Sequence, residues 1–198
     1  MLHNFCNDQL TDKNTTHSYI DLYESLFSKK RDTASHVLEV GIGPISHQNG
    51  GSIKMWADYF TNADVYALDI IHVSQVHRCI CDQPRIHLLT SQDAYDPNLV
   101  RSQFIDNNIK FDMMLDDGPH TLESMVNFIK LYSGLMKEDG ILVIEDVQDF
   151  AWIDTLRHVT PEELKPFIEV YDRRSVKGRY DDIVFVINKS RSCPVTIK

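Results

Sequence analysis

Short apolar runs alternate with segments of helical periodicity along this sequence, and this alternation constrains the fold more than any other feature. Five runs have the length and β-branched content of buried strands: 36–43, 63–70, 85–90, 111–117 and 140–147. Apolar residues recur at helical spacing elsewhere, and the predicted helices cover 17–28, 51–60, 96–108, 119–136, 150–157 and 161–165. The segments 165–174 and 181–189 predict two further strands, joined by a polar loop into a hairpin.

Strands that alternate with helices pair in parallel, because each helix crosses back over the sheet before the next strand begins. We therefore expect an α/β fold with a Rossmann-like, doubly wound, mostly parallel seven-stranded sheet and a C-terminal antiparallel hairpin. No repeat, linker or shift in composition divides the sequence. Residues 1–198 are therefore expected to form a single domain, in which residues 1–12 are loose.

Charge and apolar content exclude several classes of partner. The chain carries a formal net charge of −9 at pH 7, whereas duplex nucleic acid usually requires a basic face. No apolar run approaches the ~18 residues of a membrane span, and the N-terminus has no signal-peptide pattern. We expect a cytoplasmic protein with no nucleic-acid or membrane partner. The cysteines have no zinc-ribbon or redox spacing and are expected to be free thiols: Cys6, Cys79, Cys81 and Cys193.

The ends of the first three predicted strands carry residues suited to a nucleotide. Ligands of doubly wound sheets bind at the carboxyl ends of the strands. Gly41 and Gly43 let the backbone approach a ligand without a Cβ in the way, and Asp69 can accept hydrogen bonds from ribose hydroxyls. A tight strand-to-helix turn is the alternative interpretation of the two glycines alone. The cofactor candidates at these ends are Glu39, Gly41, Gly43, Asp69, Ser91, Gln92 and Asp93.

NAD is the alternative cofactor. Its fingerprint requires a third glycine at position 46, where this sequence has Ser46. A dinucleotide site also needs a helix that begins directly after the glycines and faces the pyrophosphate, whereas here the next helix begins only near Gly51. A late helix suits a ligand without phosphate, such as S-adenosylmethionine.

Two acidic pairs close the fourth and fifth strands, namely Asp116-Asp117 and Glu145-Asp146. Carboxylates that converge from neighbouring strand ends repel one another unless a cation binds them. Oxygen ligands at this density suit Mg²⁺, with Mn²⁺ or Ca²⁺ as alternatives. We predict Asp117, Glu145 and Asp146 as the metal ligands and assign Asp116 to the cofactor. Helix capping is the alternative role, with Asp117 as the N-cap of the helix that contains Pro119.

His120 lies at the start of the long helix, three residues after Asp117. Imidazole titrates near neutral pH, so it can accept a proton from a substrate hydroxyl. A metal bound to that hydroxyl lowers its pKa and makes the transfer easier. We therefore predict His120 as the general base, with Asp117 beside it at the reaction centre.

Several short segments carry a resemblance to known enzymes: Thr11-Asp12-Lys13 with His17, Tyr19 and Tyr23; Leu38-Glu39-Val40-Gly41; Gly50-Gly51-Ser52-Ile53-Lys54-Met55-Trp56; Asp69; Asp116-Asp117-Gly118-Pro119-His120; and Glu145-Asp146. In these residues the chain resembles the metal-dependent sugar O-methyltransferases of macrolide biosynthesis, of the mycinamicin and tylosin type. It is also similar to related viral and bacterial glycan methyltransferases. The Gly-Gly-Ser-x-Lys-Met-Trp and Asp-Asp-Gly-x-His segments are the most specific.

The resemblance implies a class I methyltransferase that uses S-adenosylmethionine and Mg²⁺. It implies that Asp117, Glu145 and Asp146 hold the metal and that His120 is the base. The residues that it places around the cofactor are Thr11, Gly41, Asp69, Gln92 and Asp93, and we add Ser52 to the cofactor candidates. The chain departs from the family in being short, without the additional N-terminal domain of some members, and in matching only loosely at 91–93.

The function predicted from these features is O-methylation of a sugar hydroxyl, on a deoxyhexose such as rhamnose in a glycan or glycoside. The alternatives are a metal-dependent catechol-type O-methyltransferase and a non-catalytic nucleotide-binding module. The partner is then a small-molecule or glycan sugar, and the chain forms a homo-oligomer or part of a larger glycan-building polypeptide. Candidate sugar contacts near the hairpin are Trp152, Tyr171, Arg173, Arg174, Arg179 and Tyr180.

Overall fold

The computed structural model of the chain describes residues 1–44 and 48–191. Two compact units divide the chain, Met1–Ala94 and Tyr95–Lys198. Ser46, on which the argument against NAD partly rests, and Cys193 lie outside the described residues. Cys6, Cys79 and Cys81 are free thiols, as predicted. Within the described ranges, no helix combines the length and the apolar composition needed to cross a membrane.

The first unit contains three parallel strands in the order β3-β2-β1, each aligned in register with its neighbour. Its strands are β1 (His36–Val40), β2 (Asp64–Asp69) and β3 (Ile86–Thr90). Its α-helices are α1 (Ile20–Phe27), α2 (Gly51–Tyr59) and α3 (Arg78–Cys81). Short 3-10 turns cover Leu2–Phe5, Ser28–Lys30 and Val73–Gln75. The three strands and the first two helices match the predicted ones to within a few residues.

Aromatic side chains fill the space between α1 and α2. The Trp56 ring lies 5.6 Å from Tyr23 and 5.7 Å from Phe27, centre to centre, and all three side chains are fully buried. The N-terminal residues, which the sequence predicts to be loose, include a 3-10 turn in which Leu2 is fully buried. The Leu2 amide donates a hydrogen bond to the Glu24 carboxylate of α1.

The second unit contains four strands in the order β4-β5-β7-β6. Its strands are β4 (Phe111–Asp116), β5 (Met136–Ile144), β6 (Ile168–Asp172) and β7 (Ile183–Asn188). Its α-helices are α4 (Pro97–Val100), α5 (Leu122–Tyr132), α6 (Trp152–Val159) and α7 (Arg174–Lys177). A π-helical turn, Arg101–Ile105, continues α4, and 3-10 turns cover Ser133–Leu135 and Lys165–Phe167.

The predicted hairpin is confirmed, and β7 lies between β5 and β6 rather than at the edge. The strand β5 pairs in parallel with β4 and antiparallel with β7, where Ile144 faces Phe185. The strand β6 pairs antiparallel with β7, where Val170 faces the same Phe185. The strands β4 and β7 are buried along their whole length, and β5 is buried from Gly140 to Ile144. The seven strands thus form the predicted mostly parallel sheet with an antiparallel C-terminal hairpin.

Three local predictions differ from the structure. The helix predicted at 161–165 is wrong, because this segment is a turn that leads into the 3-10 turn Lys165–Phe167. Pro166 lacks the amide hydrogen that an α-helix would need there. The helix predicted from residue 119 begins at Leu122, because the Thr121 hydroxyl caps it and accepts a hydrogen bond of 3.1 Å from the Ser124 amide. The four-residue helices α3 and α7 were not predicted, since one turn is too short to display a period.

Candidate active site

Asp69 joins the ends of the first two strands. Its Oδ2 accepts a hydrogen bond of 2.7 Å from the Ile42 amide, and its Oδ1 accepts one of 3.1 Å from the Ile71 amide. Gly41 and Gly43, which flank Ile42, have φ of 97° and 116°, conformations that favour glycine. The side chain that the sequence predicts for the ribose is therefore fixed in orientation at the carboxyl end of β2.

The segment after β3 forms backbone hydrogen bonds with the end of β2 and the residues that follow it. The Ser91 amide donates to the Ile71 carbonyl at 2.8 Å, and the Gln92 amide donates to the Asp69 carbonyl at 3.1 Å. Ser91 has φ of 56°, which is uncommon for a residue with a Cβ. Ser91, Gln92 and Asp93 have exposed side chains, so they are accessible to a ligand at this edge.

Glu39 is fully buried and holds three side chains together. Its Oε1 accepts a hydrogen bond of 2.7 Å from the Ser52 hydroxyl and lies 3.7 Å from the Lys13 ammonium. Its Oε2 accepts one of 2.5 Å from the Trp56 indole. The predicted cofactor residues Glu39 and Ser52 therefore contact each other, and their interaction secures α2 against β1.

The start of α2 lies close to the N-terminal segment that contains Thr11. The Gly51 amide donates to the Leu10 carbonyl at 3.2 Å, and a Cβ on Gly51 would lie 2.6 Å from Leu10 backbone atoms. Only glycine allows this approach. Thr11, half-buried, follows directly, and its hydroxyl faces the Lys13 amide at 3.5 Å.

In the second unit, three acidic or imidazole side chains converge after β4 and β5. His120 Nε2 lies 3.1 Å from Asp117 Oδ1 and 3.5 Å from Asp146 Oδ2. One ligand atom of each residue lies within 4.8 Å of the other two, a spacing that suits a metal ion. The Asp146 side chain is only 6% exposed, whereas Asp117 and His120 are partly accessible. The predicted base thus lies together with two of the three predicted ligands, Asp117 and Asp146.

Glu145, the third predicted ligand, is buried and lies outside this group of three among the described residues. Its amide donates a hydrogen bond of 3.2 Å to the Asp116 carbonyl, so the two acidic pairs leave neighbouring strands side by side. Thr121 rather than Asp117 caps α5. The capping role that we weighed for Asp117 is therefore wrong.

Two residues of the Asp117–His120–Asp146 group have a strained backbone conformation. His120 and Asp146 have φ of 53° and 54°, in the left-handed region where residues with a Cβ are uncommon. Such conformations each cost on the order of 1–3 kcal/mol and persist where the surrounding structure imposes them. Here they direct an imidazole and a carboxylate toward each other.

The cluster raises the pKa of His120. Burial lowers it, but the hydrogen bond to Asp117 and the charges of Asp117, Asp146 and Asp116 together outweigh burial. Burial also raises the pKa of Asp116 to about 7, against an opposing hydrogen bond from Tyr95 and the charge of His120. The site therefore gathers negative charge and holds a proton more firmly than isolated side chains would.

Tyr95 is the site residue that the sequence did not reveal. Its hydroxyl donates a hydrogen bond of 2.5 Å to Asp116 Oδ1. A Cβ on Gly118 would lie 2.2 Å from the same hydroxyl, so Tyr95 packs directly on the Asp116–His120 segment. A single tyrosine in a polar loop has no periodicity, and no sequence signal distinguishes it.

The predicted sugar contacts differ in exposure. Tyr180 is 62% exposed, whereas the Tyr171 hydroxyl on β6 donates a hydrogen bond of 2.5 Å to Glu169. Arg174 and Arg179 each form a bidentate pair with an aspartate, Asp172 and Asp181 respectively. Trp152, at the start of α6, is half-buried.

The sequence is similar to sugar O-methyltransferases of antibiotic biosynthesis, although no family model matches it. It is 33% identical over 144 residues to the 8-demethyl-8-alpha-L-rhamnosyl tetracenomycin-C 2'-O-methyltransferase of Streptomyces olivaceus. This match covers 72% of this chain and 36% of that enzyme. It is 29% identical over 154 residues to the mycinamicin VI 2''-O-methyltransferase of Micromonospora griseorubida, covering 74% and 36%. The chain thus spans little more than a third of these relatives.

The structure is similar to solved methyltransferases. It superposes on MycE, the methyltransferase of the mycinamycin pathway in complex with Mg, SAH and mycinamycin VI, with a TM-score of 0.70 and 23% identity, covering 94% of this chain and 53% of that one. It also superposes on a putative rRNA methylase from Clostridium thermocellum, with a TM-score of 0.62 and 12% identity, covering 84% and 94%. The superpositions show a shared fold, and the sequence relatives show that the chain belongs to the class I S-adenosylmethionine-dependent methyltransferases, with sugar O-methyltransferases among its homologues.

Proposed function

We propose that the chain provides the catalytic unit of an S-adenosylmethionine-dependent, Mg²⁺-assisted O-methyltransferase that acts on a sugar hydroxyl. The observation that carries this proposal is the convergence of Asp117, His120 and Asp146 within one ligand-sized space. Relatives named for methylating rhamnosyl and macrolide sugars support the same reaction. Homo-oligomerisation, or membership of a larger glycan-building polypeptide, is the assembly that the sequence predicts.

The first unit supplies features that suit the methyl donor. Asp69 is fixed by two backbone amides at the end of β2, where a carboxylate can accept hydrogen bonds from ribose hydroxyls. The helix α2 begins at Gly51, well after Gly43, so its N-terminus does not follow directly on the glycines. The exposed side chains at 91–93 are available to an adenine edge.

The donor set of the second unit fits Mg²⁺. Hard divalent cations prefer carboxylate oxygens, and Asp146 and Glu145 present carboxylates that are already largely removed from water. Asp117, Glu145 and Asp146 are the residues that would hold the ion, and His120 is left for proton transfer. When bound, Mg²⁺ would lower the pKa of a sugar hydroxyl in its coordination sphere.

His120 then removes the proton from the acceptor hydroxyl. The acceptor oxygen forms a bond to the methyl carbon while the bond between that carbon and sulfur breaks, and the proton stays on His120. Asp117, 3.1 Å from His120 Nε2, orients the imidazole and stabilises its charged form. Holding the reactants in line contributes up to roughly 7–11 kcal/mol in ideal cases.

The test is an assay of the protein with S-adenosylmethionine and two acceptors, methyl α-L-rhamnoside and catechol, with Mg²⁺ or with excess chelator. Mass spectrometry should detect a singly methylated rhamnoside only when Mg²⁺ is present. The His120→Ala variant should lose ~10²–10⁴-fold in kcat, with unchanged calorimetric affinity for S-adenosylhomocysteine. His158→Ala, an exposed histidine on α6, is the control. Activity that survives chelation, undiminished turnover by His120→Ala, or methylation of catechol alone would contradict the proposal.

A further inference from the structure

Asn49 lies in the loop between β1 and α2 and is 1% exposed. Its side-chain amide makes three hydrogen bonds, all to backbone groups. Nδ2 donates one of 2.8 Å to the Pro44 carbonyl and one of 2.9 Å to the Gln75 carbonyl. Oδ1 accepts one of 2.8 Å from the His77 amide. One buried side chain therefore joins its own loop to the segment between β2 and α3.

Asp69 joins the same two segments at a second place. Its carboxylate accepts one hydrogen bond from the Ile42 amide, in the first loop, and one from the Ile71 amide, in the segment after β2. The orientation of this carboxylate therefore depends on both segments, because each supplies one of the two donors. Asn49 connects the segments farther from the strand ends than Asp69 does. A residue that keeps the two segments together thus also keeps Asp69 in position.

Both segments also have hydrogen bonds of their own. In the first loop, the Gly50 amide donates a hydrogen bond of 2.8 Å to the Ile42 carbonyl. In the second segment, the His72 amide donates one of 2.9 Å to the Gln75 side chain, and the Gln75 amide donates one of 2.8 Å to the His72 carbonyl. Loss of the Asn49 side chain would therefore let the segments move relative to each other while each keeps its internal structure.

We propose, on the basis of the function proposed above, that Asn49 is a positioning residue for the methyl donor. It holds the two segments at the spacing at which Asp69 presents its carboxylate to the ribose. Both amide hydrogens and the amide oxygen of Asn49 are used within the protein, so it acts through Asp69 and not by contact with the donor. A ligand that requires the assembled site binds more weakly in proportion to the fraction of molecules in which that site is assembled.

Substitution of Asn49 tests this role. Asn49→Ala should raise the dissociation constant of S-adenosylhomocysteine about tenfold, the increase expected if about one molecule in ten keeps the segments together. KM for S-adenosylmethionine should rise by a similar factor, and kcat at saturating donor should stay close to that of the wild-type protein. Asn49→Asp keeps the size of the side chain and an acceptor for the His77 amide but lacks both donors, so it should weaken binding as well.

Asn188→Ala is the matched control. Asn188, the last residue of β7, is 3% exposed, and its Oδ1 accepts hydrogen bonds of 3.1 Å and 2.6 Å from the Ser190 amide and hydroxyl. This variant also loses a buried amide, so its unfolding temperature should fall, but its affinity for S-adenosylhomocysteine should not change. Wild-type affinity in a folded Asn49 variant, or equal weakening by Asn188→Ala, would overturn the positioning role.

Hydrogen exchange in the wild-type protein tests the same connection without a substitution. The amides of Ile42 and Ile71 donate to Asp69, and the His77 amide donates to Asn49. All three should have similar protection if the segments open together, and S-adenosylhomocysteine should slow their exchange together. Unrelated protection of the His77 and Ile42 amides would overturn the proposal. Binding of S-adenosylhomocysteine without methylation of any sugar would refute the proposed function alone, because these binding measurements need no acceptor.

Discussion

The Tyr95 hydroxyl lies 2.5 Å from Asp116 Oδ1 and fills the space in which a Cβ of residue 118 would lie. One side chain therefore holds the segment that carries both Asp117 and His120. Tyr95 itself is not a metal-ligand candidate, so we assign it a positioning role. Its contribution should be visible in the rate of the reaction and not in the binding of the methyl donor.

Tyr95→Phe should lower kcat about tenfold and leave the affinity for S-adenosylhomocysteine unchanged. The variant retains the ring but removes the hydroxyl, so the buried Asp116 carboxylate loses one of its hydrogen-bond donors, which costs about 1–3 kcal/mol of stability. Steady-state kinetics and thermal unfolding measure the two effects. Tyr66→Phe, which removes a half-buried hydroxyl from β2, is the control. A full kcat in Tyr95→Phe would refute the positioning role.

Glu39→Gln should destabilise the protein by about 3–5 kcal/mol, because it removes the negative charge that lies 3.7 Å from the buried Lys13 ammonium. Urea unfolding measures this loss, with Glu138→Gln on the exposed part of β5 as the control. A loss below about 1 kcal/mol would contradict the buried ion pair as a determinant of stability. Titration of the folded variant with S-adenosylhomocysteine then tests whether Glu39 also contacts the cofactor, as the sequence predicts.

Asp69→Asn should weaken the binding of S-adenosylhomocysteine about tenfold or more. An amide offers one acceptor oxygen where the carboxylate offers two, and both carboxylate oxygens already accept backbone hydrogen bonds. Calorimetry measures the dissociation constant. Asp64→Asn, at the opposite end of the same strand, should bind normally. Equal affinity in the two variants would remove Asp69 from the cofactor site.

Binding of Mg²⁺ should release protons, and its affinity should fall as the pH is lowered. The carboxylates around it raise the pKa of His120 in the metal-free cluster, so the imidazole keeps its proton to a higher pH than an ordinary histidine and that proton competes with the cation. The competition is strong below that raised pKa and disappears as the pH rises through it. Asp116, with a pKa raised to about 7, contributes over the same range.

Calorimetry in buffers of different ionisation enthalpy counts these protons. His120→Asn should release fewer protons on Mg²⁺ binding than the wild-type protein near pH 7. Asp116→Asn should also release fewer protons, and the decrease measures the contribution of Asp116. An Mg²⁺ affinity that does not vary between pH 6 and 8 would contradict the competition. Glu145→Gln in the same experiment tests the buried carboxylate as a ligand, and the expected result is weaker Mg²⁺ binding.

Much of the fold was predictable from the sequence. The spacing of apolar residues identifies helices and strands that are long enough for that spacing to repeat. The strands β1, β2, β4 and β7 and the helices α2 and α5 all have this property. The four-residue helices α3 and α7 do not, and their formation depends on local contacts such as the His77 side chain, which accepts a hydrogen bond from the Cys79 amide. The position of β7 between β5 and β6 requires tertiary pairing that local periodicity does not encode.

The site was predictable where a residue's role follows from its place at a strand end. Asp69, Asp117 and Asp146 stand at such ends, and topology brings the last two together. Tyr95 and Lys13 have roles that depend on contacts with residues distant in sequence, including Asp116 and Glu39 respectively. A single contact between residues distant in sequence leaves no pattern in either neighbourhood.

The antiparallel course of β7 has an evolutionary consequence. Because β7 runs opposite to β5, the connection 173–182 emerges at the edge of the sheet where β5 ends. A change in the sequence or length of that connection can alter which side chains lie at this edge of the sheet. The pairing of the strands stays the same. Related sequences are therefore expected to diverge in acceptor range by replacing this one loop, with the strands β1, β2 and β3 unchanged.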